Sequence, residues 1–303
     1  MKKILSLSIF TILIILFLNL SHFPFLLWFM ATFIPGDNAK IFLYSKAIEK
    51  NNNYFQAYID RAEVRKKNGN FDKAMEDINL AMKLRPEDEL VWYLMGELEY
   101  RKGNTDKAIN ILSTCIAINS AFPWSYQLRA KLFKETAQAE YAIIDEAKYH
   151  YLTNDSKNAL AILDEGIVKF PANVIMYEDR SNVRLKLKDK TGAIKDLDKV
   201  IELASHYVWG FYKRGELKEK LKDFTGALDD MDKAMNIDPG FAQGLYKKGL
   251  IYKEIKNYKD AAETIYQSAV IFKRKQCMDD FRECIKILKT IEGSSKQISL
   301  LEK

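Results

Sequence analysis

Apolar and small residues recur along this chain with one long and regular period. An asparagine or aspartate marks each period, at Asn70, Asn104, Asp155, Asp189, Asp223 and Asn257, and the sequence number rises by 34 at every step except one, where it rises by 51. Eight positions before each of these lies a small residue: Ala62, Gly96, Ala147, Ser181, Gly215 and Gly249. Four positions after each lies an alanine: Ala74, Ala108, Ala159, Ala193, Ala227 and Ala261. Self-similarity at such a period predicts a stacked array of repeats.

Each part of the period predicts one part of a helix-turn-helix unit. The Asn and Asp residues suit the N-cap of a second helix, because their side-chain oxygens accept a free backbone N–H there. The small residues lie where two helices approach closely. Pro86, Pro171 and Pro239 each follow the alanine of their repeat by 12 residues, where the second helix should end.

This pattern resembles the tetratricopeptide repeat family, which places a large apolar residue, a small residue, an aromatic residue, alanines and a proline in this order. The resemblance is strongest over Trp209–Pro239 and Ala57–Pro86 and covers roughly residues 38–272. It implies an all-α fold, a right-handed α-α superhelical solenoid of about six to seven units. Such a solenoid serves as a non-catalytic scaffold that binds partner proteins or peptides.

Some charged residues depart from this family pattern. Arg61, Arg180 and Arg214 stand where the family has a leucine before the small residue, and we expect them to weaken individual interfaces. Acidic pairs such as Glu76–Asp77 and Asp229–Asp230 recur with the repeat. Because neighbouring residues on a helix point in different directions, we interpret these pairs as solvated outer positions rather than as catalytic acids.

The single step of 51 residues equals one and a half repeats. It therefore adds one helix to the regular alternation of first and second helices. Residues 123–152 contain no internal glycine or proline, and apolar residues step through them by three and four. We predict one continuous helix of about 45 Å over this segment.

The N-terminus carries a second strong signal. Residues Ile4–Leu20 contain no charge and follow Lys2 and Lys3, which is typical of a transmembrane helix or of a signal peptide. No site within this region has two small residues suitably placed for cleavage, so a retained anchor is favoured and a cleaved, secreted form is the alternative. The membrane contact extends to residue 34 if Phe25, Trp28, Phe29 and Phe33 lie at the bilayer interface.

The predicted organisation has three parts and one membrane orientation. Residues 1–36 form the anchor or signal segment, 37–274 the repeats, and 275–303 a capping helix with a frayed tail after Gly293. Lys2 and Lys3 favour a cytoplasmic N-terminus in a single-pass membrane protein with an extracytoplasmic repeat domain. Lys40, Lys46 and Lys50 nearly balance that preference.

Composition and motifs argue against several classes of function. The net charge of +6 comes from 47 basic and 41 acidic residues that are interspersed, so no basic block predicts nucleic-acid binding. The three histidines lie far apart, and no phosphate-binding glycine loop or nucleophile motif occurs. We therefore expect no catalytic residue, metal, cofactor or small-molecule substrate.

The predicted binding surface is the groove lined by the first helices of the repeats. Its candidate residues in the C-terminal units are Asn182, Trp209, Tyr212, Lys213, Glu216, Tyr246 and Lys247. Tyr212 and Tyr246 occupy the same position of adjacent repeats, as do Lys213 and Lys247, so the groove carries a ladder of aromatic and cationic groups. An extended peptide with acidic and apolar residues would suit such a ladder.

Two other classes of function stay open. The chain would be an architectural subunit of a membrane or export assembly if partners bound its convex face or its ends. It would be an enzyme if a site without a recognisable motif existed. Fold alone does not separate these classes.

Overall fold

The computed structural model describes residues 23–301, which form 17 α-helices without any strand in that range. This confirms the all-α prediction. The chain divides into two compact units, Met1–Asn154 and Asp155–Lys303.

The first unit consists of four helix hairpins, in each of which consecutive helices pack against each other. Its helices are α1 (Pro24–Phe33), α2 (Asp37–Lys50), α3 (Phe55–Lys67), α4 (Phe71–Leu84), α5 (Glu89–Arg101), α6 (Thr105–Ile118), α7 (Pro123–Glu135) and α8 (Ala139–Leu152). Within this unit, each second helix also packs on the first helix of the next hairpin. A hairpin cannot bury its own apolar face alone, so this stacking is what forms the core.

The second unit begins with a single helix that packs on the hairpin after it. Its helices are α9 (Ser156–Lys169), α10 (Val174–Lys186), α11 (Lys190–Leu203), α12 (Val208–Lys220), α13 (Phe224–Ile237), α14 (Ala242–Glu254), α15 (Tyr258–Arg274), α16 (Met278–Leu288) and α17 (Ser295–Leu301). The hairpins are α10 with α11, α12 with α13, and α14 with α15.

The repeating alanines and apolar residues form the core as the period predicts. The alanines Ala74, Ala108, Ala159, Ala193, Ala227 and Ala261 are fully buried. The glycines of the small-residue position show why the position is restricted: a Cβ on Gly249 would lie 2.4 Å from Ile265 Cγ1 of the paired helix. Close approach of the two helices therefore requires a small residue here.

The turn inside every hairpin after the first has one recurring conformation. The residue before the N-cap of the second helix has positive φ, and in these turns it is glycine only at Gly69 and Gly103. Ala137, Lys188, Lys222 and Lys256 adopt the same left-handed conformation in the other hairpins, as do Asn154 before α9 and Gln276 before α16. This conformation ends the first helix and reverses the chain, at a cost that a side chain increases.

The predicted N-caps form in four of the six places. Asp155, Asp189, Asp223 and Asn257 each accept a hydrogen bond from the backbone N–H three residues later. Asn70 and Asn104 lie at the N-cap position but make no such bond. Asn104 instead donates its side-chain amide to Glu99, at 2.7 Å from Oε2.

The prediction of one continuous helix over residues 123–152 is wrong. Helix α7 ends at Glu135 and α8 begins at Ala139, and the two form a hairpin. Ala137 has φ 57°, the left-handed conformation that glycine adopts in two other hairpins. The extra helix of the longer step is α9, which stands alone at the start of the second unit.

A helix precedes the predicted start of the repeats at residue 37 and packs on them. Helix α1 packs against α2 with Leu27 and Ala31 buried, and Trp28 Nε1 donates a hydrogen bond to Asp60 on α3. Trp28 therefore faces the repeats, whereas we predicted it at a membrane interface. No helix within residues 23–301 is long and apolar enough to cross a membrane. The predicted span Ile4–Leu20 lies outside the described residues.

The C-terminus is more ordered than predicted. Helix α16 packs on α15 with Cys284 and Leu288 buried. The tail beyond Gly293 was expected to fray, but it contains α17, which packs back on α15 and α16. Leu301 is buried, and Lys273 donates a hydrogen bond to its carbonyl oxygen at 2.8 Å. Apolar burial of Leu301 holds the tail in place.

Candidate functional site

Buried ion pairs link the two helices of several hairpins. Each pair joins an arginine on the first helix to an aspartate on the second helix, always at a sequence separation of 16. The pairs are Arg61 with Asp77, Arg129 with Asp145, Arg180 with Asp196, and Arg214 with Asp230. All four aspartates are buried, so the interpretation of Asp77 and Asp230 as solvated outer positions is wrong.

Each of these arginines also bonds to the helix that precedes its hairpin, at the same separation of 16 in the opposite direction. Arg61 and Arg129 donate to the hydroxyls of Ser45 and Ser113, whereas Arg180 and Arg214 donate to Asp164 and Asp198. An aromatic ring three residues earlier lies 5.5 to 5.9 Å from each guanidinium: Tyr58, Tyr126, Tyr177 and Phe211. These arginines therefore connect three helices each, where we expected weakened interfaces.

The hydrogen bond from Arg214 to Asp230 raises the pKa of the guanidinium. Arg214, like any arginine, is therefore charged at neutral pH. This set of pairs links neighbouring helices of the stack.

The first helices α10, α12 and α14 lie beside one another and carry the predicted groove residues. Lys213 on α12 forms an ion pair with Glu178 on α10. Lys247 on α14 forms one with Glu219 on α12, at 2.6 Å, and lies 3.7 Å from Glu216. Asn182 lies on α10 one turn after Glu178 and is half-buried. The structure thus brings together the groove residues of three successive units.

The two lysines of the predicted ladder are not free cations. Each is partly buried against a carboxylate of the neighbouring first helix. These contacts involve three carboxylates, those of Glu178, Glu216 and Glu219, and two ammonium groups, those of Lys213 and Lys247. Carboxylates therefore outnumber ammonium groups among them. An acidic peptide would have to displace a carboxylate from each lysine.

The aromatic residues of the groove form one compact cluster at the start of α12. The ring of Trp209 lies 5.4 Å from that of Tyr212 and 5.1 Å from that of Phe241. Phe241 is buried, while Trp209 is 42% exposed. The Tyr212 hydroxyl donates to Glu216 Oε1 at 3.3 Å, and burial raises its pKa, with the charge of Glu216 acting in the same direction.

Tyr246 does not repeat the environment of Tyr212, although the two occupy the same position of adjacent repeats. Tyr246 packs against the apolar cluster that includes Cys284 and Leu288 of α16. Burial raises its pKa to about 12, and Glu283 adds to the shift. The predicted ladder of tyrosines therefore does not continue from Tyr212 to Tyr246, because α16 packs against the Tyr246 side chain.

Sequence reasoning missed Glu219 and Phe241 as parts of this surface. Glu219 follows Glu216 by three residues, so both face the same neighbouring helix, and the charge alternation between adjacent first helices could have indicated the pairing. Phe241 precedes α14 in sequence, and only the packing of α14 on α12 brings it to Trp209.

The first unit contains a separate cavity of about 260 Å³ between α7 and α8. Lys131, Lys134, Glu146 and His150 are among its lining residues. Lys134 pairs with Glu146 at 2.7 Å, and the His150 ring lies 5.3 Å from that of Tyr149. Across residues 23–301, no group of three His, Cys, Asp or Glu side chains is arranged to hold a metal ion.

The period, the paired helices and the aligned first helices define the class: the chain is built of helix-hairpin repeats. Family models for the tetratricopeptide repeat match residues 43–76 and 90–122. These two segments are therefore similar to tetratricopeptide repeats, and they fall on α2 to α4 and α5 to α6. No curated protein sequence matches the chain.

Several solved structures are similar to the chain at low sequence identity. MamA is 18% identical, over 60% of this chain and 96% of that chain, with a TM-score of 0.41. YrrB, described as a TPR protein with an unusual peptide-binding site, is 16% identical over 64% and 91% of the two chains, with a TM-score of 0.37. The Cut9–Hcn1 heterotetramer of the APC/C is 15% identical over 82% of this chain and 52% of that chain, with a TM-score of 0.40.

Proposed function

We propose that this protein is a non-catalytic scaffold that binds an extended peptide segment of a partner protein on the surface formed by α10, α12 and α14. The observation that carries the proposal is the half-exposed Trp209, held by Tyr212 and buried Phe241 beside first-helix charges. A rigid aromatic side chain of this kind is a typical anchor of a protein interface, since it offers a large apolar area with little conformational entropy to lose.

The proposed partner segment combines a basic residue with a bulky apolar residue. Both lysines of the surface are paired, whereas Glu216 is approached on this surface only by the Tyr212 hydroxyl and the more distant Lys247 ammonium. A lysine or arginine of the partner would complete the coordination of Glu216. The apolar residue would pack on Trp209. This replaces the acidic partner that the sequence alone suggested.

The test is binding of two labelled peptides of equal length to the full chain, one with alternating lysine and leucine and one with alternating glutamate and leucine. We expect the basic peptide to bind more tightly by a factor of about ten or more, and the preference to fall with salt. Equal binding, or preference for the acidic peptide, would reject the proposed charge of the partner.

Two substitutions separate the anchor from the charge. Trp209→Ala should weaken binding of the basic peptide by about tenfold or more, and Glu216→Gln should reduce the preference over the acidic peptide. Trp124→Ala is the matched control, because Trp124 is 47% exposed in the other unit. If the control weakens binding as much as Trp209→Ala, the surface of α10, α12 and α14 is not the binding site.

We also propose that residues Ile4–Leu20 tether the protein to a membrane as a single span, with the repeats on the extracytoplasmic side. The support is the uncharged run itself and the position of Lys2 and Lys3 before it. Protease treatment of intact and opened vesicles reports the side that carries the repeats. Mass measurement of the purified chain distinguishes a retained anchor from a cleaved, secreted form.

A further inference from the structure

One face of α1 is a stripe of exposed phenylalanines. Phe25, Phe29 and Phe33 lie four residues apart and are 58%, 46% and 74% exposed. The ring centroids of Phe25 and Phe29 are 6.1 Å apart, and those of Phe29 and Phe33 are 4.9 Å apart. The opposite face of α1 carries Leu27 and Ala31, which are buried against the repeats. The stripe is therefore a surplus of apolar surface that packing within residues 23–301 leaves in solvent.

We infer that this stripe, the Phe face of α1, lies on the lipid bilayer and holds the first hairpin flat against the membrane surface. The inference rests on the proposed membrane tether and goes beyond it, because a tether alone leaves the repeats free to turn away from the bilayer. Phenylalanine side chains on an uncharged helix suit the boundary between headgroups and acyl chains.

The length of chain before α1 supports this position. The apolar run ends at Leu20, and only four residues separate it from Phe25. Five peptide steps reach no more than about 17 Å even when fully extended. If the run spans the bilayer, Phe25 at the start of α1 must lie within about 17 Å of the hydrocarbon. Helix α1 contains no charged residue that would oppose contact with lipid.

The Phe face has two other candidate occupants. The run Ile4–Leu20 could in principle fold back onto it, but a helix that covers the end of a repeat stack needs a polar outer side. This run has polar side chains only at Ser6, Ser8, Thr11 and Asn19, and its remaining residues are apolar in all directions. A segment apolar on all sides favours a lipid environment over a half-exposed cap. A second copy of the chain is the other occupant.

The test uses spin labels on the full chain in vesicles of phosphatidylcholine and phosphatidylglycerol. The exposed Cys277 is first changed to serine, and the two other cysteines are buried. Single cysteines are then introduced as Phe29→Cys and Phe33→Cys on the Phe face. Ile12→Cys reports on the tether, and Trp124→Cys is an exposed aromatic control in the same unit. The readout is accessibility of each label to oxygen, which enriches in lipid, and to a water-soluble nickel complex.

We expect the labels at 29 and 33 to have an oxygen-to-nickel accessibility ratio several-fold above that at 124 and close to that at 12. If position 12 lies in lipid while 29 and 33 match 124, the inference about the Phe face fails and the tether stands. If position 12 is open to nickel, the tether fails. If 29 and 33 are shielded from both reagents, protein covers the Phe face, and the inference is overturned.

Discussion

Arg214 and Asp230 form a bidentate ion pair between the helices of one hairpin, with Nη2 2.6 Å from Oδ1 and Nε 3.0 Å from Oδ2. The remaining nitrogen, Nη1, lies 2.7 Å from Asp198 on the preceding hairpin. Asp230 also forms an ion pair with Lys218, whose Nζ lies 2.8 Å from Oδ2. The buried carboxylate of Asp230 thus has two cationic partners, and its loss would leave Arg214 with Asp198 alone and would remove the carboxylate partner of Lys218.

The first prediction concerns this pair. Asp230→Ala should lower the free energy of unfolding by about 3 kcal/mol, because it takes the buried carboxylate away from both Lys218 and Arg214 and leaves Arg214 only the half-exposed Asp198. The matched control is Asp229→Ala, which removes an exposed carboxylate one residue away and should change stability by less than about 0.5 kcal/mol. Urea unfolding followed by circular dichroism measures both. Equal effects of the two substitutions would show that the buried pair does not stabilise the hairpin.

A second prediction concerns the turn of the same hairpin. Lys222 has φ 66°, which costs a residue with a side chain about 1 kcal/mol or more relative to glycine. Lys222→Gly should therefore stabilise the protein by roughly 0.5 kcal/mol after the greater flexibility of glycine in the unfolded chain is subtracted. Lys220→Gly, inside the last turn of α12, should instead destabilise by about 1 kcal/mol. A lower melting temperature for Lys222→Gly would contradict the strain argument.

The third prediction compares two glycines at the same repeat position. A Cβ at Gly215 would meet Met231 Cε at 2.5 Å, the far end of a flexible side chain. A Cβ at Gly249 would meet Ile265 Cγ1 at 2.4 Å, an atom bonded to the Cβ of a branched side chain. Gly249→Ala should therefore destabilise by about 1–3 kcal/mol. Gly215→Ala should lie within about 1 kcal/mol of the unchanged protein, because alanine's helix propensity offsets a small shift of Met231. The reverse order in urea unfolding would show that helix spacing, not the facing side chain, sets the limit.

The fourth prediction concerns the cysteines. Cys115 and Cys284 are buried, and burial raises the pKa of each thiol to about 11, whereas Cys277 is exposed. Since the thiolate is the reactive form, iodoacetamide at mildly alkaline pH should modify Cys277 alone in the folded protein and all three residues in urea. Mass spectrometry of digested protein counts the modified sites. Rapid modification of Cys284 without urea would show that α16 opens readily.

The same two thiols make stability depend on pH. Their pKa in the folded state is raised above the unfolded value of about 8.5. The stability they contribute is therefore complete below that value and is lost as the pH rises towards 11. Because the unfolded state accommodates the thiolate more readily, alkaline unfolding should begin in this interval.

The hairpin at residues 123–152 follows the repeat pattern of the sequence, although two residues in its turn differ from that pattern. Ala130, Gln138 and Ala142 continue the repeat register of Gly96, Asn104 and Ala108. Gln138 occupies the N-cap position of α8, but glutamine is not among the preferred N-cap residue types, so the register was not recognised there. Ala137 did not indicate a turn, because alanine rarely takes positive φ. Packing of α7 on α8 stabilises this turn, although the local sequence favours a continuous helix.

The sequence alone determined the period, the helix hairpins, the buried alanines and most of the N-caps, since each follows from the spacing of residues within one repeat. Only the tertiary structure decided which charges are buried, because Arg214 and Asp230 become partners through the packing of α12 on α13. It also decided that Lys213 and Lys247 form ion pairs with glutamates of the neighbouring helix and that the Phe241 ring packs against that of Trp209. Those contacts join neighbouring helices, and a side chain's partner on another helix depends on packing geometry that a one-dimensional spacing does not contain.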